Sequence, residues 1–349
     1  VVTGWMLRYF CDMVTGQFVN ATQAQISEHY TGMLSDAGSL ILFTVLVVIT
    51  GFGICARGLQ AGLEKVTKWM MGALLVIMVI LAANSLLSAG AAEGVRYLFV
   101  PDIARAREIG LGSVIAAAMN QAFFTLSLGI GAMAIFGSYI GKDRRLFGES
   151  LNVAVLDTFV ALTAALIVIP SCFAYGVETA AGPGLIFVTL PNIFAAMPLG
   201  RLWGALFFLF LSFAAFSTIL AVFENIISST MDLTGWTRKK TCLICAAAMI
   251  VLSLPCALGF NLLAGVQPLG EGSTIMDLED FLVSNILLPL GSLVFVLFCT
   301  WKQGWGWDSF RKEADTGQGL RFPAWSHVYC KYLLPVIIAV ILITGILPG

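Results

Sequence analysis

The apolar run at residues 119–141, MNQAFFTLSLGIGAMAIFGSYIG, carries polar and flexible residues near its middle. Thr125 and Ser127 supply side-chain oxygens, and Gly129 and Gly131 follow them closely. A glycine in a helix interior costs about 1 kcal/mol, so this cluster is a place where a helix can break. The backbone groups freed by a break can hold an ion and a polar ligand. The alternative is a face of small residues that packs against another helix, and these residues alone leave both open.

Asp157 is a charged residue inside the apolar stretch NVAVLDTFVALTAALIVIP. A charge at the bilayer centre costs about 2.5–3.5 kcal/mol on insertion scales, so Asp157 needs a cation or another partner. A bound cation is the functional interpretation. The alternative is an Asp near the interface that reaches water or is protonated, and the cost favours the cation.

Ser217 and Thr218 are adjacent hydroxyl residues in FLSFAAFSTILAVFEN, a bulky apolar segment. Such hydroxyls usually bond back to their own helix. They can also be oxygen ligands for a small hard cation. Glu224 follows two turns later on a similar flank. Oxygen-rich positions in three apolar segments together indicate an ion-coupled site.

The composition places these segments in a bilayer. Of 349 residues, 59% are hydrophobic and only 11% are charged, against about 25% charged in a soluble domain. A soluble fold of this size cannot bury so much apolar surface, which excludes an ordinary cytosolic enzyme, a disordered chain and a small secreted scaffold. The net charge of −1, without a basic stripe, gives no indication of nucleic-acid binding.

Motifs for metal or covalent chemistry are weak. Cys242 and Cys245 form a CxxC, but it opens the apolar run CLICAAAMIVL, where cysteines usually act as small packing residues. The two histidines, His29 and His327, are far apart in the sequence. There is no nucleophile elbow, HExxH or P-loop, so we do not expect an enzyme.

Stretches without charged residues predict the membrane spans, because a spanning helix needs roughly 20 apolar residues. Eight complete stretches qualify: 37–56, 69–92, 109–141, 158–177, 202–223, 241–270, 281–301 and 332–349. The chain begins with VVTGWML, which looks like the end of a further span. We therefore expect that an N-terminal part of the protein is missing from this sequence.

Basic residues divide unevenly between alternate connections, with 14 in one set and four in the other. Because cytoplasmic loops carry the excess of Lys and Arg, the richer set is expected inside and the C-terminus outside. Two outer connections are more than linkers. Residues 91–110 are expected to form an interfacial helix, and residues 183–198 a re-entrant or capping helix.

AFFTLSLGIGA resembles the broken sixth helix of the neurotransmitter:sodium symporter family. GWMLRYF resembles the end of helix 3, GLEKVTKWMM the start of helix 5, PGLIFVTLP the fourth extracellular loop and FAAFSTILAVFE helix 8. The resemblance covers essentially the whole chain, up to helix 11. It implies an all-α polytopic membrane protein with an inverted-repeat, broken-helix transporter fold. Residues 1–349 would be one transporter domain, N-terminally incomplete, with helices 1 and 2 absent.

The resemblance also implies where the substrate and two sodium ions bind. Thr125 and Asp157 fall on the first sodium site, and Ala214 (by its carbonyl), Ser217 and Thr218 on the second. Helix 1 would complete both. Around the substrate fall Phe124, as an aromatic lid, with Thr125, Ser127, Ile130, Gly131, Thr218 and Val222. The outer gate falls on Asp280, and the inner gate on Tyr139 and Asp232.

The sequence departs from the family pattern at three places. Asp157 stands where the bacterial leucine transporter has Asn, which adds a negative charge beside the first sodium. Chloride-dependent members have a serine one turn later, whereas this chain has Ala161, so chloride is not expected. Related bacterial members have a Gly and, ten positions on, a Pro that unwind helix 5. Here Gly62 is followed by Gly72, which can weaken the helix without a proline.

Together these features predict sodium-coupled symport of an amino acid across a bacterial inner membrane by alternating access. Ile130 and Val222 leave an apolar side-chain pocket, which favours a hydrophobic or aromatic L-amino acid. The expected partners are that amino acid and the lipid bilayer, without nucleic acid; the oligomeric state is not indicated. Two other classes stay open: a channel or another broken-helix transporter, and a nontransporting membrane sensor.

Overall fold

A computed structural model describes residues 1–58, 63–176 and 182–346 of the chain. The backbone in these ranges is almost entirely helical. In chain order the helices are α1 (Val2–Thr15), α2 (Gln23–Ser35), α3 (Ala37–Cys55), α4 (Lys65–Leu86), α5 (Ala91–Phe99), α6 (Ile103–Ile109), α7 (Leu111–Thr125), α8 (Ala132–Tyr139), α9 (Leu146–Ala174), α10 (Leu185–Ala196), α11 (Gly200–Thr234), α12 (Arg238–Leu258), α13 (Ile275–Thr300), α14 (Trp307–Ala314) and α15 (Ser326–Ile346).

Seven of the described helices are long and apolar enough to cross a membrane: α3, α4, α9, α11, α12, α13 and α15. They correspond to seven of the eight predicted spans. The eighth, 109–141, is two helices, because α7 ends at Thr125 and α8 begins only at Ala132. We call residues 126–131 the break. The helix break that the sequence allowed at this position is therefore confirmed.

The two outer connections singled out in the sequence are helical, as expected. Residues 91–110 form α5 and α6, with Pro101 between them. Residues 183–198 contain α10, which is too short to span a bilayer. Its Phe187 and Ile193 are fully buried, so α10 packs on protein rather than lying free as a linker.

Three helices accommodate a proline by a π-helical turn. Each π stretch ends just before a Leu-Pro pair: Leu185–Thr189 before Pro191, Leu282–Leu287 before Pro289, and Tyr329–Leu333 before Pro335. A proline lacks an N–H, and in an α-helix its ring collides with the carbonyl four residues earlier. The wider π turn relieves this collision, so each helix continues through its proline.

The chain groups into two compact units. Unit 1 comprises Val1–Pro101 and Ala161–Met276, and unit 2 comprises Asp102–Val160 and Asp277–Gly349. This grouping does not test the expectation of one transporter domain, which stays a prediction.

In unit 1, α11 packs along α1 and α3, and α10 packs against α11 and α2. Gly204 of α11 allows the approach, because a Cβ there would lie 2.5 Å from the Met13 sulfur. The Tyr9 hydroxyl donates a hydrogen bond to the Phe187 carbonyl at 3.0 Å. Helix α10 is thereby fixed to α1 by a buried polar contact as well as by packed aromatic rings.

In unit 2, α7 meets α13 and α15 in an apolar cluster built on Phe123, Ile338 and Ile341. The Arg145 side chain joins the loop before α9 to the loop after α14. The Arg145 guanidinium donates to the carbonyls of Asp315 and Gly319 at 2.9 and 2.6 Å. Unit 2 is therefore held by apolar packing among its helices and by carbonyl capping in its loops.

A buried ion pair joins α11 to α12. Glu224 has no solvent exposure, and its Oε1 accepts from Nη1 of Arg238 at 3.0 Å, with a second contact between Oε2 and Nη2. Arg238 Nε also donates to the Cys55 carbonyl at the end of α3, at 2.7 Å. The structure thus gives Glu224 a structural partner, whereas the sequence had placed it on the flank of an ion site.

The first prediction concerns this pair. Glu224→Ala leaves the Arg238 guanidinium without its carboxylate in a largely buried position, so we expect a loss of about 3–5 kcal/mol in the free energy of unfolding. Thermal unfolding of the purified protein in detergent measures it. The control is Glu64→Ala, whose pair with Lys68 is at 2.7 Å but largely exposed and should cost at most about 1 kcal/mol. Equal losses at the two sites would contradict the structural role.

Candidate functional site

The break departs from helical geometry at alternate residues. Ser127, Gly129 and Gly131 have φ of +51°, +83° and +88°. The N–H of Leu128 still bonds back to the Phe123 carbonyl at 3.0 Å, and the Gly131 carbonyl accepts from Ile135 N at 3.0 Å. The C-terminal end of α7 and the N-terminal end of α8 therefore both point into the break. These ends carry partial negative and positive charge respectively, which suits a cation and an anion placed side by side.

Thr125 and Asp157, the two residues predicted for the first sodium site, lie together in unit 2. The Thr125 hydroxyl contacts Asp157 Oδ1 at 3.0 Å and Oδ2 at 3.3 Å. Thr125 is the last residue of α7, and Asp157 lies within α9. Among the residues that the structure describes, no Lys, Arg or His forms an ion pair with Asp157. A carboxylate and a hydroxyl thus meet beside the break without a protein cation.

Ala214, Ser217 and Thr218 lie within about one turn of α11 in unit 1. The hydroxyls of Ser217 and Thr218 both donate to the Ala214 carbonyl, at 2.8 and 3.3 Å. This is the back-bonding expected of hydroxyls in an apolar helix. It uses the hydroxyl protons and leaves oxygen lone pairs, so the three oxygens form a compact donor group. Val222 follows one turn after Thr218.

The remaining predicted residues divide between the units. In unit 2, Phe124 lies near the end of α7 and Ile130 lies in the break, and the two residues are 52% and 39% exposed. Tyr139 ends α8. Asp280 of α13 is exposed and accepts from the Ser284 hydroxyl at 3.0 Å. Asp232 is exposed near the end of α11, in unit 1.

Helix α4 corresponds to helix 5 of the family, where this chain has Gly72 in place of the proline. Gly72 lies inside the continuous helix Lys65–Leu86, so the glycine alone does not interrupt it here. Gly62 lies outside the described residues. Arg238 was not predicted from the sequence as the partner of Glu224. Basic residues just before an apolar run can reach back to a buried acid, but Lys239 and Lys240 share this position with Arg238.

A second prediction follows from the backbone at Ser127. A β-branched side chain at φ +51° is strained, so Ser127→Val should lower the thermal stability, whereas Ser127→Gly should not. Ser229 is exposed in the interior of α11 and serves as the control, since glycine there should cost about 0.5–1 kcal/mol relative to an ordinary residue. The glycine variant should therefore have the higher melting temperature at position 127, and the valine variant the higher one at position 229. The same order of melting temperatures at both positions would contradict the left-handed conformation of Ser127.

Comparison with known proteins shows the family of the chain. The model of the sodium:neurotransmitter symporter family matches residues 13–348. The chain is 29% identical to the uncharacterized sodium-dependent transporter YhdH of Bacillus subtilis, covering 98% of this chain and 74% of that protein. It is 27% identical to an uncharacterized sodium-dependent transporter of Haemophilus influenzae, covering 99% of this chain and 75% of the relative.

Among solved structures, the chain is similar to MhsT, crystallised in complex with L-phenylalanine. The TM-score is 0.86 and the identity 34%, over 99% of this chain and 76% of MhsT. The likeness extends through the broken helix and the long apolar helices described above. An all-helical, multi-pass membrane protein with these matches is a sodium-dependent transporter, and the chain belongs to the sodium:neurotransmitter symporter family.

Proposed function

We propose that this protein couples sodium entry to the uptake of a hydrophobic or aromatic L-amino acid across a bacterial inner membrane, by alternating access. The observation that carries the proposal is the Thr125–Asp157 contact beside the break. It combines an acidic group, a hydroxyl and helix ends in one membrane-spanning region of unit 2.

The charge of Asp157 supports a cation at this position. A carboxylate inside a membrane helix is costly unless a cation or a hydrogen-bond network compensates it. Its partner in the structure is the neutral Thr125 hydroxyl, and the negative end of α7 lies alongside. Hydroxyl and carboxylate oxygens are hard ligands, which suit sodium as the transported cation. In the family, helix 1 supplies the ligands beyond these two residues.

A second sodium would use the oxygen group of α11. Ala214, Ser217 and Thr218 present a carbonyl and two hydroxyl oxygens within about one turn. This group contains no acidic side chain, so it carries no negative charge, unlike the site at Asp157. Glu224 does not contribute, because its carboxylate is committed to Arg238.

The substrate class follows from the break and its flanks. The N-terminal end of α8 and the open backbone of the break suit a carboxylate, as anions favour helix N-termini. The family resemblance assigns Ile130 and Val222 to the substrate, and both side chains are apolar. The similar protein MhsT was crystallised with L-phenylalanine, which supports a hydrophobic or aromatic cargo for this chain as well.

In the proposed cycle, sodium orders the break and favours the outward-facing state. Substrate binding lets the exposed Phe124 ring close over the pocket, with Asp280 at the outer gate. Opening around Tyr139 and Asp232 then releases cargo inward. With the C-terminus outside, as the basic residues predict, sodium enters down its gradient. Each charge gains about 2.3 kcal/mol per 100 mV of membrane potential.

The third prediction tests coupling and cargo together. In the complete protein, hydrophobic and aromatic L-amino acids should raise the melting temperature in sodium but not in potassium. A ligand at a hundred times its Kd stabilises the folded state by about 2.7 kcal/mol, which is easily measured by thermal unfolding. Polar amino acids are the control panel. If only these stabilised the protein, the cargo class would be wrong; a folded protein without any sodium-dependent shift would point to the channel or the sensor.

The fourth prediction concerns chloride. Because Asp157 supplies the negative charge itself and Ala161 stands at the family's serine position, uptake should be equal in chloride and in gluconate. Asp157→Asn keeps the shape and the Thr125 partner but removes the charge. It should raise the sodium concentration for half-maximal uptake about tenfold, which corresponds to about 1.4 kcal/mol.

Asp102→Asn is the matched control for Asp157→Asn. Asp102 caps α6 by accepting from Arg105 N at 3.0 Å, and asparagine caps a helix equally well. Its sodium dependence should therefore equal that of the natural protein. A strict chloride requirement, or an Asp157→Asn variant with unchanged sodium dependence, would refute the assignment of charge balance to Asp157.

A further inference from the structure

Helix α13 touches the break through its backbone. A Cβ on Gly129 would collide with the Leu288 carbonyl oxygen and lie 2.8 Å from Ser292 N and 2.9 Å from Ser292 Oγ. Conversely, a Cβ on Gly291 would collide with the Gly129 carbonyl oxygen and lie 3.0 Å from the Gly129 carbonyl carbon. The two glycines therefore form a reciprocal contact that excludes a side chain on either partner.

The contact between Gly129 and Gly291 helps to fix the position of Thr125. On the N-terminal side, Phe123 is buried and packs into the apolar cluster of α13 and α15. Thr125 lies between these two attachments, so its hydroxyl is placed by α13 and α15 on one side and meets Asp157 on the other. A cavity of about 430 Å³ lies beside this contact, between the break with Met133 of α8 on one side and Phe295 and Leu334 on the other. The Phe123 and Gly129 contacts therefore hold a segment that is otherwise bordered by open space.

We propose that Gly291 is a positioning residue for the transport site. It lets the Gly129 peptide lie directly against α13. We call this backbone contact the seat, and it holds Thr125 in place beside Asp157. The inference rests on the proposed function, because it assigns Gly291 a role in sodium and substrate binding. It goes beyond that function, since Gly291 is not among the residues assigned to the sodium or substrate sites and acts here through Gly129.

Helix α13 links the contact between Gly129 and Gly291 to the predicted outer gate. The same helix carries Asp280, the predicted outer-gate residue, less than four helical turns before Gly291. A rigid backbone contact transmits displacement without the slack of a flexible side chain. Movement of α13 at the outer gate would thus move the Gly129 peptide at the centre of the site.

The test compares Gly291→Ala with Gly137→Ala in the complete protein. Gly137 lies in α8, and a Cβ there meets nothing within 4 Å, so it is a matched control for glycine replacement. Thermal unfolding in sodium is titrated with L-phenylalanine. Gly291→Ala should raise the half-saturating concentration at least about tenfold, as expected when a site is displaced by part of an ångström, and Gly137→Ala should leave it within about twofold.

Hydrogen–deuterium exchange of residues 126–131, without ligand, separates the seat from the proposed function. Gly291→Ala should speed exchange in the break at least about tenfold and leave α11 unchanged, because local opening depends on local contacts. This holds even if no amino acid binds in the natural protein. If Gly291→Ala does not fold, Phe123→Leu loosens the neighbouring attachment without a collision and should speed exchange in the same segment. Exchange and binding equal to those of Gly137→Ala would overturn the inference.

Discussion

Backbone that leaves the helical conformation inside hydrocarbon must find other partners for its polar groups, and this constraint organises unit 2. The first N–H groups of the break return to α7, as Leu128 N does to the Phe123 carbonyl. The Gly129 peptide is then covered by the backbone of α13. What remains open are the end of α7 and the start of α8. These are the two places where a cation and a carboxylate gain most from the helix dipoles.

Two carboxylates in apolar helices illustrate how burial and partner decide a role. Glu224 is fully buried and meets a guanidinium that also bonds the end of α3, so its charge is compensated within the fold. Asp157 is less buried and meets a hydroxyl. Removing the arginine would leave the Glu224 carboxylate buried without a counter-charge. The arrangement of Glu224 is that of a structural ion pair, whereas that of Asp157 is compatible with the sodium ion proposed as its partner.

The elements whose formation depends on local composition were predicted from the sequence. Seven of the eight predicted spans and the two helical outer connections follow from apolar length and proline, and the structure agrees. The residues of TLSLGIG left a break and a packing face open, and the structure shows the break. Local composition does not predict the approach of Thr125 to Asp157, because 32 residues of sequence separate them. This contact was expected from the family resemblance. Contacts that depend on packing were out of reach. Nothing in LPLGS indicates that Gly291 meets Gly129, and the partner of Glu224 could not be chosen among the nearby basic residues.

A transport site has to hold its cargo firmly and then release it, and these demands are hard to meet with uniformly packed helices. Close-packed contacts resist deformation, whereas an unpacked face permits movement. Unit 2 brings the two properties together along one broken helix. The chain is attached by the apolar contacts of Phe123 and by the backbone contact of Gly129, and a cavity borders the break and the first turn of α8, which begins after Gly131 with φ of +88°. The glycines therefore do more than interrupt a helix: the first permits the seat, and the second allows the turn beyond it.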